Sequence, residues 1–293
     1  MGEPLAPGAY LERDETSHIA RITIHNPERR NAFRSSFGSE MEAHLDELAQ
    51  DDDIKVVILR GSGGTFTAGV DLSEAYDWYG KAEDGQRAQR RPSQRRRLAV
   101  DRRGQRLFHE FLGFPKVTIC QVESYALGLG FEFALMADMV VVGRGAKLGM
   151  PATTFLGPIL GNLHVFFHRL GPVLTKDLLL TGRMVEAREV EHLGLFTRFV
   201  EDDDVETTTE ALAAQVAKMP ADGIHMAKEA YRLVESSMGL GLEEVCSYLF
   251  HSYGTNLRFE DDEFNFVRTR AQVGTSKAFD LRDRHYEDEG GAG

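Results

Sequence analysis

The sequence contains few cysteines and no long apolar run, and each shortage excludes a class of protein. Cys120 and Cys246 are the only cysteines, and they lie far apart in the 293 residues, so the pattern predicts neither a disulfide framework nor a metal site. No stretch approaches the roughly 20 apolar residues of a membrane-spanning helix. Residues 1–10 also lack the basic and apolar segments of a secretory leader. We therefore predict a soluble protein of a reducing compartment, the cytoplasm.

Basic residues are fewer than acidic residues. The chain has 34 Lys and Arg against 46 Asp and Glu, which gives a formal net charge of −12 and disfavours a general polyanion binder. The hydrophobic share of 42% is sufficient for a substantial core. The chain can form either one large α/β domain or a domain with a smaller appendage.

Apolar patterning predicts strands that alternate with helices. Residues 18–25 alternate apolar and polar side chains, as in a strand with one buried face, and residues 35–48 show the three-to-four spacing of an amphipathic helix. Three short apolar runs indicate strands that are covered on both faces: 54–59, 117–122 and 139–142. The alternation indicates an α/β fold.

The C-terminal third differs from the rest of the chain. From about residue 173 onward the pattern predicts helices and no strands. We interpret residues 1–205 as an α/β core and residues 206–293 as a helical oligomerisation or capping region. Residues 287–293 are predicted to be a disordered tail.

Two glycine-containing segments follow predicted strands. The first loop, residues 61–72, reads GSGGTFTAGVDL, and the second loop, residues 124–138, reads SYALGLGFEFALMAD and becomes helical near Gly130. Both emerge at the carboxyl end of a strand, where α/β proteins bind ligands. The first loop is not a phosphate loop, because no Gly-Lys-Ser/Thr closes it. Free NH groups at the helix start near Gly130 favour a negatively charged group there.

In order, spacing and flanking residues, the two loops resemble the enoyl-CoA hydratase/isomerase (crotonase) family. The resemblance includes ITIHNPERRNAF at residues 22–33, LTGRM at 180–184 and HLGL at 192–195. It implies a crotonase-like α/β fold, a spiral of ββα units with a helical C-terminal region that forms homotrimers or homohexamers. It also implies an acyl-CoA thioester as substrate, with coenzyme A as part of that substrate and no metal or other cofactor.

The same resemblance implies a site in which two backbone NH groups stabilise the charge that develops on the thioester oxygen. By position the donors would be Ala68 and Leu129, the latter where the family usually has glycine, and each such donor is typically worth about 3 kcal/mol in the transition state. Asp71 is predicted to be structural. Tyr76, Trp78 and Tyr79 either line an acyl pocket or fill core. The implied substrate-binding residues are Ala68, Gly69, Val70, Asp71, Leu129, Arg30, Tyr76 and Trp78.

Glu132 is the candidate acid/base residue. Its neighbours are apolar, and a carboxylate is costly to bury unless it is paired or used. The resemblance places it at the first catalytic glutamate of the hydratases; the alternative is a structural glutamate satisfied by an NH group or an arginine. The second family glutamate would follow Pro151, where this chain has Ala152, and an aspartate used by some members would fall near Leu160.

Several reactions therefore stay open. Glu132 alone can carry a proton from C2 to C4 in an isomerase, or handle one water in a hydratase. Hydrolysis, C–C cleavage and binding of a thioester or partner without turnover are further alternatives, the last because Leu129 and Ala152 depart from the family pattern. At family level we predict a lyase or isomerase. The loop at residues 157–163 is about two residues shorter than is usual in the family, so Asn162 in it and His164 just after it are candidates for a place near the substrate.

A basic run separates the two loops. Three interpretations compete: an exposed helix face, a site for the phosphates of coenzyme A, and a nucleic-acid patch. The acidic remainder of the chain and the lack of interleaved aromatic residues argue against nucleic acid. The run consists of Arg87, Arg90, Arg91, Arg95, Arg96, Arg97, Arg102, Arg103 and Arg106.

Overall fold

A computed structural model of the protein describes residues 5–73, 93–157, 161–254 and 257–286. The strands are β1 (Gly8–Asp14), β2 (Ile19–His25), β3 (Val56–Gly61), β4 (Val117–Val122), β5 (Tyr125–Leu127), β6 (Met139–Gly143), β7 (Lys147–Gly149), β8 (Met184–Glu186) and β9 (Arg198–Val200). The helices are α1 (Ser35–Ala49), α2 (Gln94–Leu112), α3 (Leu129–Met136), α4 (Thr153–Leu156), α5 (Leu163–Thr181), α6 (Ala187–Val190), α7 (Val205–Ala217), α8 (Ala221–Ser237), α9 (Glu243–Gly254), α10 (Phe266–Val273) and α11 (Thr275–Tyr286).

Within the described residues, six strands form the main sheet in the order β1-β2-β3-β4-β6-β9. Strand β1 is antiparallel to β2, and every other neighbouring pair is parallel. Leu59 in β3 pairs with Ile22 on one side and with Cys120 on the other. Because β3 and β4 are parallel neighbours, their carboxyl ends meet at one edge of the sheet, and both glycine-containing loops leave from that edge.

Helices cover both faces of the main sheet. Successive side chains of a strand point to opposite faces, so Ile58 and Ile119 pack with Leu212 of α7, whereas Leu59 and Val122 face the larger core beneath α1, α2, α3 and α5. All of these strand side chains are fully buried. The prediction that the strands near residues 54–59, 117–122 and 139–142 are covered on both faces is confirmed.

The prediction that no strand occurs after residue 173 is wrong. Strand β9 joins the main sheet beside β6, and β8 pairs with β7 in a second sheet of order β5-β7-β8. Each of these two strands has only three residues, which is too short for the period-two pattern that identifies a strand in sequence. Their partners in the α/β core hold them in place.

The C-terminal helices differ in what they cover. Helix α9 packs on α2, and α10 packs on α11 around Phe266 and Ala278. Helix α8 contains no buried residue and exposes Met226, Tyr231 and Leu233. A trimer or hexamer would cover an apolar face of this kind, and that oligomer stays a prediction.

Two further predictions are not decided by the structure. The domain division after residue 205 stays a prediction; helix α7, which begins there, packs on the main sheet. The predicted tail, residues 287–293, lies outside the described residues. Over the described ranges, none of the helices has both the length and the apolarity that a membrane-spanning helix requires.

Candidate functional site

The first loop is held by the side chain of Asn31. Its Nδ2 donates to the carbonyl oxygens of Ser62 at 2.9 Å and Thr65 at 2.6 Å, and its Oδ1 accepts the NH of Asn26 at 2.8 Å. Asn31 is fully buried and has a φ of 55°, in the left-handed region that asparagine tolerates better than most residues. The sequence pattern did not predict this role. The only signal was an asparagine directly after the turn that follows a strand.

Two isolated bridges fix the end of the first loop. Thr67 pairs with Ala126 of β5, and Val70 pairs with Phe33. On the Phe33 side, the Phe33 NH donates to the Gly69 carbonyl at 2.7 Å, and the Phe33 carbonyl accepts the Asp71 NH at 2.9 Å. The first loop is therefore clamped between the turn at residues 31–33 and the second loop.

The prediction that Ala68 supplies a free NH group is corrected by the structure. The Ala68 NH donates to the carbonyl oxygen of Arg30 at 3.0 Å and is already satisfied. The Val70 NH, two residues later, has no hydrogen-bond acceptor among the described residues. Successive NH groups of an extended segment point to opposite sides. The Asp71 NH faces Phe33, so the Val70 NH points away from that pairing and stays available.

The second loop also presents an available NH. The Gly128 carbonyl accepts the NH groups of Phe131 at 3.0 Å and Glu132 at 3.1 Å, as a residue preceding a helix does. The Leu129 NH, at the start of α3, has no acceptor within the described part of the chain. The Leu129 side chain is only 7% exposed and packs in the apolar core. The bulk that replaces the usual glycine is thus buried in the core.

The two loops touch through their glycines. A Cβ atom on Gly69 would lie 2.8 Å from the carbonyl oxygen of Leu127 and 3.7 Å from the Cα atom of Gly128. Gly69 has a φ of 94° and Gly128 a φ of 55°, which glycine adopts without strain. Val70 and Leu129 directly follow this contact, so their NH groups belong to adjoining segments.

Glu132 lies in the first turn of α3 and is 8% exposed. Its Oε1 accepts a hydrogen bond of 2.9 Å from Nδ2 of Asn162. Burial raises the pKa of Glu132 to about 7, while the hydrogen bond from Asn162 and the nearby His251 lower it and Glu243 raises it. A carboxyl group with a pKa near neutrality is suited to both taking up and releasing a proton.

Asn162 was a candidate on position alone, and the structure brings it to Glu132. His164 lies instead against Glu243, with 2.8 Å between His164 Nδ1 and Glu243 Oε2. Ala152 packs against the apolar core and brings no carboxylate. Leu160 lies outside the described residues.

The remaining predicted binding residues separate into three groups. The guanidinium of Arg30 lies 5.2 Å from the centre of the Tyr125 ring, in a cation–π contact. Asp71 accepts the NH of Ser73 at 2.9 Å and its hydroxyl at 2.6 Å, which is the contact pattern of a structural residue. Three aromatic candidates lie outside the described residues: Tyr76, Trp78 and Tyr79.

Six of the nine arginines of the basic run lie on helix α2. Five of its arginines are exposed on this helix: Arg95, Arg96, Arg102, Arg103 and Arg106. Arg97 is buried and donates to the carbonyl oxygen of Ser252 at 3.2 Å. Three others lie outside the described residues: Arg87, Arg90 and Arg91. No group of three or more His, Cys, Asp or Glu side chains with metal-binding geometry occurs in the described part of the chain.

The sequence of the chain is similar to those of known proteins. The sequence model of the family Enoyl-CoA hydratase/isomerase matches residues 14–272. A protein named as an enoyl-CoA hydratase in Thermus thermophilus is 34% identical over 233 residues, 78% of this chain and 85% of the relative. Another so named in Mycobacterium bovis is 34% identical over 245 residues, 83% of this chain and 88% of the relative.

Solved structures show the same similarity. An enoyl-CoA hydratase/isomerase from Xanthobacter autotrophicus Py2 superposes with a TM-score of 0.77 at 25% identity, over 94% of this chain and 97% of that chain. An enoyl-CoA hydratase from Mycobacterium smegmatis gives a TM-score of 0.79 at 25% identity, over 94% and 93% of the two chains. The crotonase-like α/β fold predicted from the sequence is confirmed.

The contact between the loops leaves no room for a side chain on Gly130. A Cβ atom there would lie 2.4 Å from Cγ2 of Thr67, whereas a Cβ atom on Gly104 of α2 meets nothing within 4 Å. We expect Gly130→Ala to lower the free energy of unfolding by about 1–3 kcal/mol through overpacking. The matched Gly104→Ala should raise it by up to about 1 kcal/mol through helix propensity. Urea unfolding measures both, and equal effects would contradict the close approach of the loops.

Burial of Glu132 also predicts a pH-dependent stability. The pKa in the folded protein is about 7, above the ordinary value of 4.5, so folding favours the protonated form. Relative to Glu132→Gln, wild-type stability is therefore greatest below pH 4.5 and falls as the pH rises through 7. The expected fall is about 3 kcal/mol. Urea unfolding of both proteins between pH 4 and pH 8 measures it, and a constant difference would show that Glu132 is not desolvated.

Proposed function

We propose that this chain, which belongs to the enoyl-CoA hydratase/isomerase family, is a lyase or isomerase that binds an acyl-CoA thioester where the two loops meet. The thioester oxygen accepts hydrogen bonds from the NH groups of Val70 and Leu129, and Glu132 transfers the proton. The observation that carries the proposal is the conjunction of two available NH groups on adjoining segments with a buried carboxyl group whose pKa is about 7.

The chemistry follows from where charge develops. Removing a proton beside a thioester carbonyl, or adding water to its conjugated double bond, places negative charge on the carbonyl oxygen. Two fixed NH donors in a site shielded from water stabilise that charge without reorganising during the reaction. The thioester itself accepts the electron pair, so the proposal needs no metal or redox cofactor.

One carboxyl group can perform both proton transfers of a hydration. The oxygen of a water molecule bonds to C3 of a 2-enoyl thioester while Glu132 takes a proton from that water. This addition produces the enolate. Glu132 then gives that proton to C2, and the enolate returns to the thioester. Isomerisation uses the same group to move a proton from C2 to C4. Ala152 supports a mechanism with one carboxyl group, because the position after Pro151 has no acid or base.

In this proposal the exposed arginines of α2 and Arg30 bind the phosphates of coenzyme A. Arginine suits this role because its planar donor group matches phosphate geometry. The proposed ligand is therefore a small-molecule acyl-CoA thioester and not a nucleic acid.

The first experiment mixes the protein with a short 2-enoyl-CoA and follows the absorbance of the conjugated enoyl-thioester band, which decreases as the double bond is hydrated. Wild type is expected to turn over, and Glu132→Gln to lose about 10²–10⁴-fold in kcat while still binding the CoA ester in calorimetry. A 3-enoyl-CoA, followed by the appearance of the same band, tests isomerisation. If wild type binds both esters without converting either, the chain is a thioester-binding protein. If it binds neither, the acyl-CoA assignment is wrong.

The assignment of the oxyanion donor to Val70 rather than Ala68 has its own test. Replacing the NH of residue 70 by an ester oxygen, through incorporation of the matching α-hydroxy acid, is expected to lower kcat by about 10²–10³-fold. The same replacement at residue 68 removes only the hydrogen bond to the Arg30 carbonyl and is expected to lower kcat less than about tenfold. The reverse ranking would return the role to Ala68.

A further inference from the structure

Asn162 connects the proposed acid/base residue to the C-terminal helices. It immediately precedes α5, is fully buried, and donates from Nδ2 to Oε1 of Glu132 at 2.9 Å. Its backbone is in the left-handed region, with φ 59° and ψ 25°. Asparagine and glycine occupy this region more readily than other residues. The backbone conformation thus places a short amide at this point.

Helix α9 fixes the turn that carries Asn162. Glu243, at the start of α9, is fully buried, and its Oε2 accepts the His164 NH at 2.7 Å. Burial raises the pKa of Glu243, and the backbone NH groups of His164 and Asn162 partly offset this by favouring the ionised form. A Cβ atom on Gly161 would lie 3.1 Å from both Nε2 of Gln105 in α2 and the carbonyl oxygen of Ser247 in α9. The backbone around Asn162 is therefore held by α9, and the side chain of Asn162 is held by Glu132.

The other end of the amide is left available. Oδ1 of Asn162 is buried and has no hydrogen-bond partner among the described residues. Since Oδ1 and Nδ2 share one carbon atom, Oδ1 lies no more than about 5 Å from Oε1 of Glu132, a separation that one water can bridge with two hydrogen bonds. A buried acceptor without a partner is costly unless a ligand or water satisfies it.

We propose that Asn162 is the positioning residue of this site: Nδ2 orients the Glu132 carboxylate, and Oδ1 accepts a hydrogen bond from the water or hydroxyl group that reacts. This inference rests on the proposed function. It also explains how the chain works without a carboxylate at Ala152. The amide replaces the hydrogen-bond acceptor that a second carboxylate would provide, but it cannot take the proton, so all proton transfer stays with Glu132.

The amide also controls when Glu132 is ionised. Its Nδ2 stabilises the carboxylate, so loss of the amide raises the pKa of Glu132 further. The titratable groups of α9 that act on Glu132 are Glu243 and His251, and His251 lies 3.2 Å from Asp101 of α2. Variants at residue 162 leave these groups unchanged. A base with a higher pKa is ionised only at higher pH, so the acid limb of the pH profile should move in that direction.

The test uses two variants at residue 162. Asn162→Gly keeps the left-handed backbone and removes the amide, and Asn162→Asp keeps the shape but replaces the donor with a carboxylate. His18→Gly is the matched control, because His18 also has a left-handed φ, of 60°, and lies in the turn between β1 and β2. The pKa of Glu132 is followed by infrared difference spectroscopy of the free protein, with the Glu132→Gln spectrum subtracted, and kcat/KM is measured against pH.

We expect Asn162→Gly to raise the pKa of Glu132 and the acid limb of kcat/KM together by about one pH unit. We expect Asn162→Asp to raise both further, since a like charge then faces Glu132. In both variants kcat should fall about tenfold or more with a smaller change in KM. His18→Gly should change neither. An unchanged Glu132 pKa in Asn162→Gly, or wild-type behaviour of Asn162→Asp, would overturn the inference.

Failure of this inference is distinguishable from failure of the proposed function. The infrared titration needs no substrate, so it tests the pairing of Asn162 with Glu132 even if no enoyl-CoA is turned over. If wild type converts substrate and the Asn162 variants behave like wild type, the proposed function stands and the positioning role is rejected. If Asn162→Gly does not fold, Asn162→Asp carries the same test.

Discussion

The backbone of the first loop passes so close to that of the second that a methyl group on Gly69 would lie 2.8 Å from the carbonyl oxygen of Leu127. Gly69 and Gly128 meet at this contact, and both have positive φ, so a side chain at either would bring strain. At Gly69 a side chain would also force the loops apart. This contact brings Val70 beside the start of α3. The two available NH groups and Glu132, one turn further along the helix, all depend on it.

A second constraint is the cost of burying Glu132. Desolvation favours its protonated form, and the hydrogen bond from Asn162 partly offsets that preference, which leaves a pKa near neutrality. The α2–α9 interface beside this site is itself polar: Asp101 lies 3.2 Å from His251, and Arg97 bonds to the carbonyl oxygen of Ser252. Buried polar contacts of this kind fix one arrangement more specifically than apolar packing does. They hold α9 in one position on α2, and from there Glu243 accepts the NH of His164, two residues after Asn162.

The fold was predictable where the sequence pattern extends over enough residues. The apolar runs near residues 54–59 and 117–122 and the spacing in 35–48 correspond to β3, β4 and α1. Strands β8 and β9 were not predictable, because three residues carry no measurable period and their pairing depends on partners from distant parts of the chain. Intrinsic preference is weak for such short strands, and tertiary contacts decide them.

The sequence by itself determined the family resemblance, the two glycine-containing loops and Glu132, because these depend on residue type and local spacing. Only the tertiary structure decided which NH groups are available: Ala68 donates to Arg30, 38 residues earlier in the chain, and Val70 does not. It likewise decided that Asn162 meets Glu132. Hydrogen-bond partners separated by 30 or more residues are set by how the chain folds back on itself, and local sequence does not encode that distance.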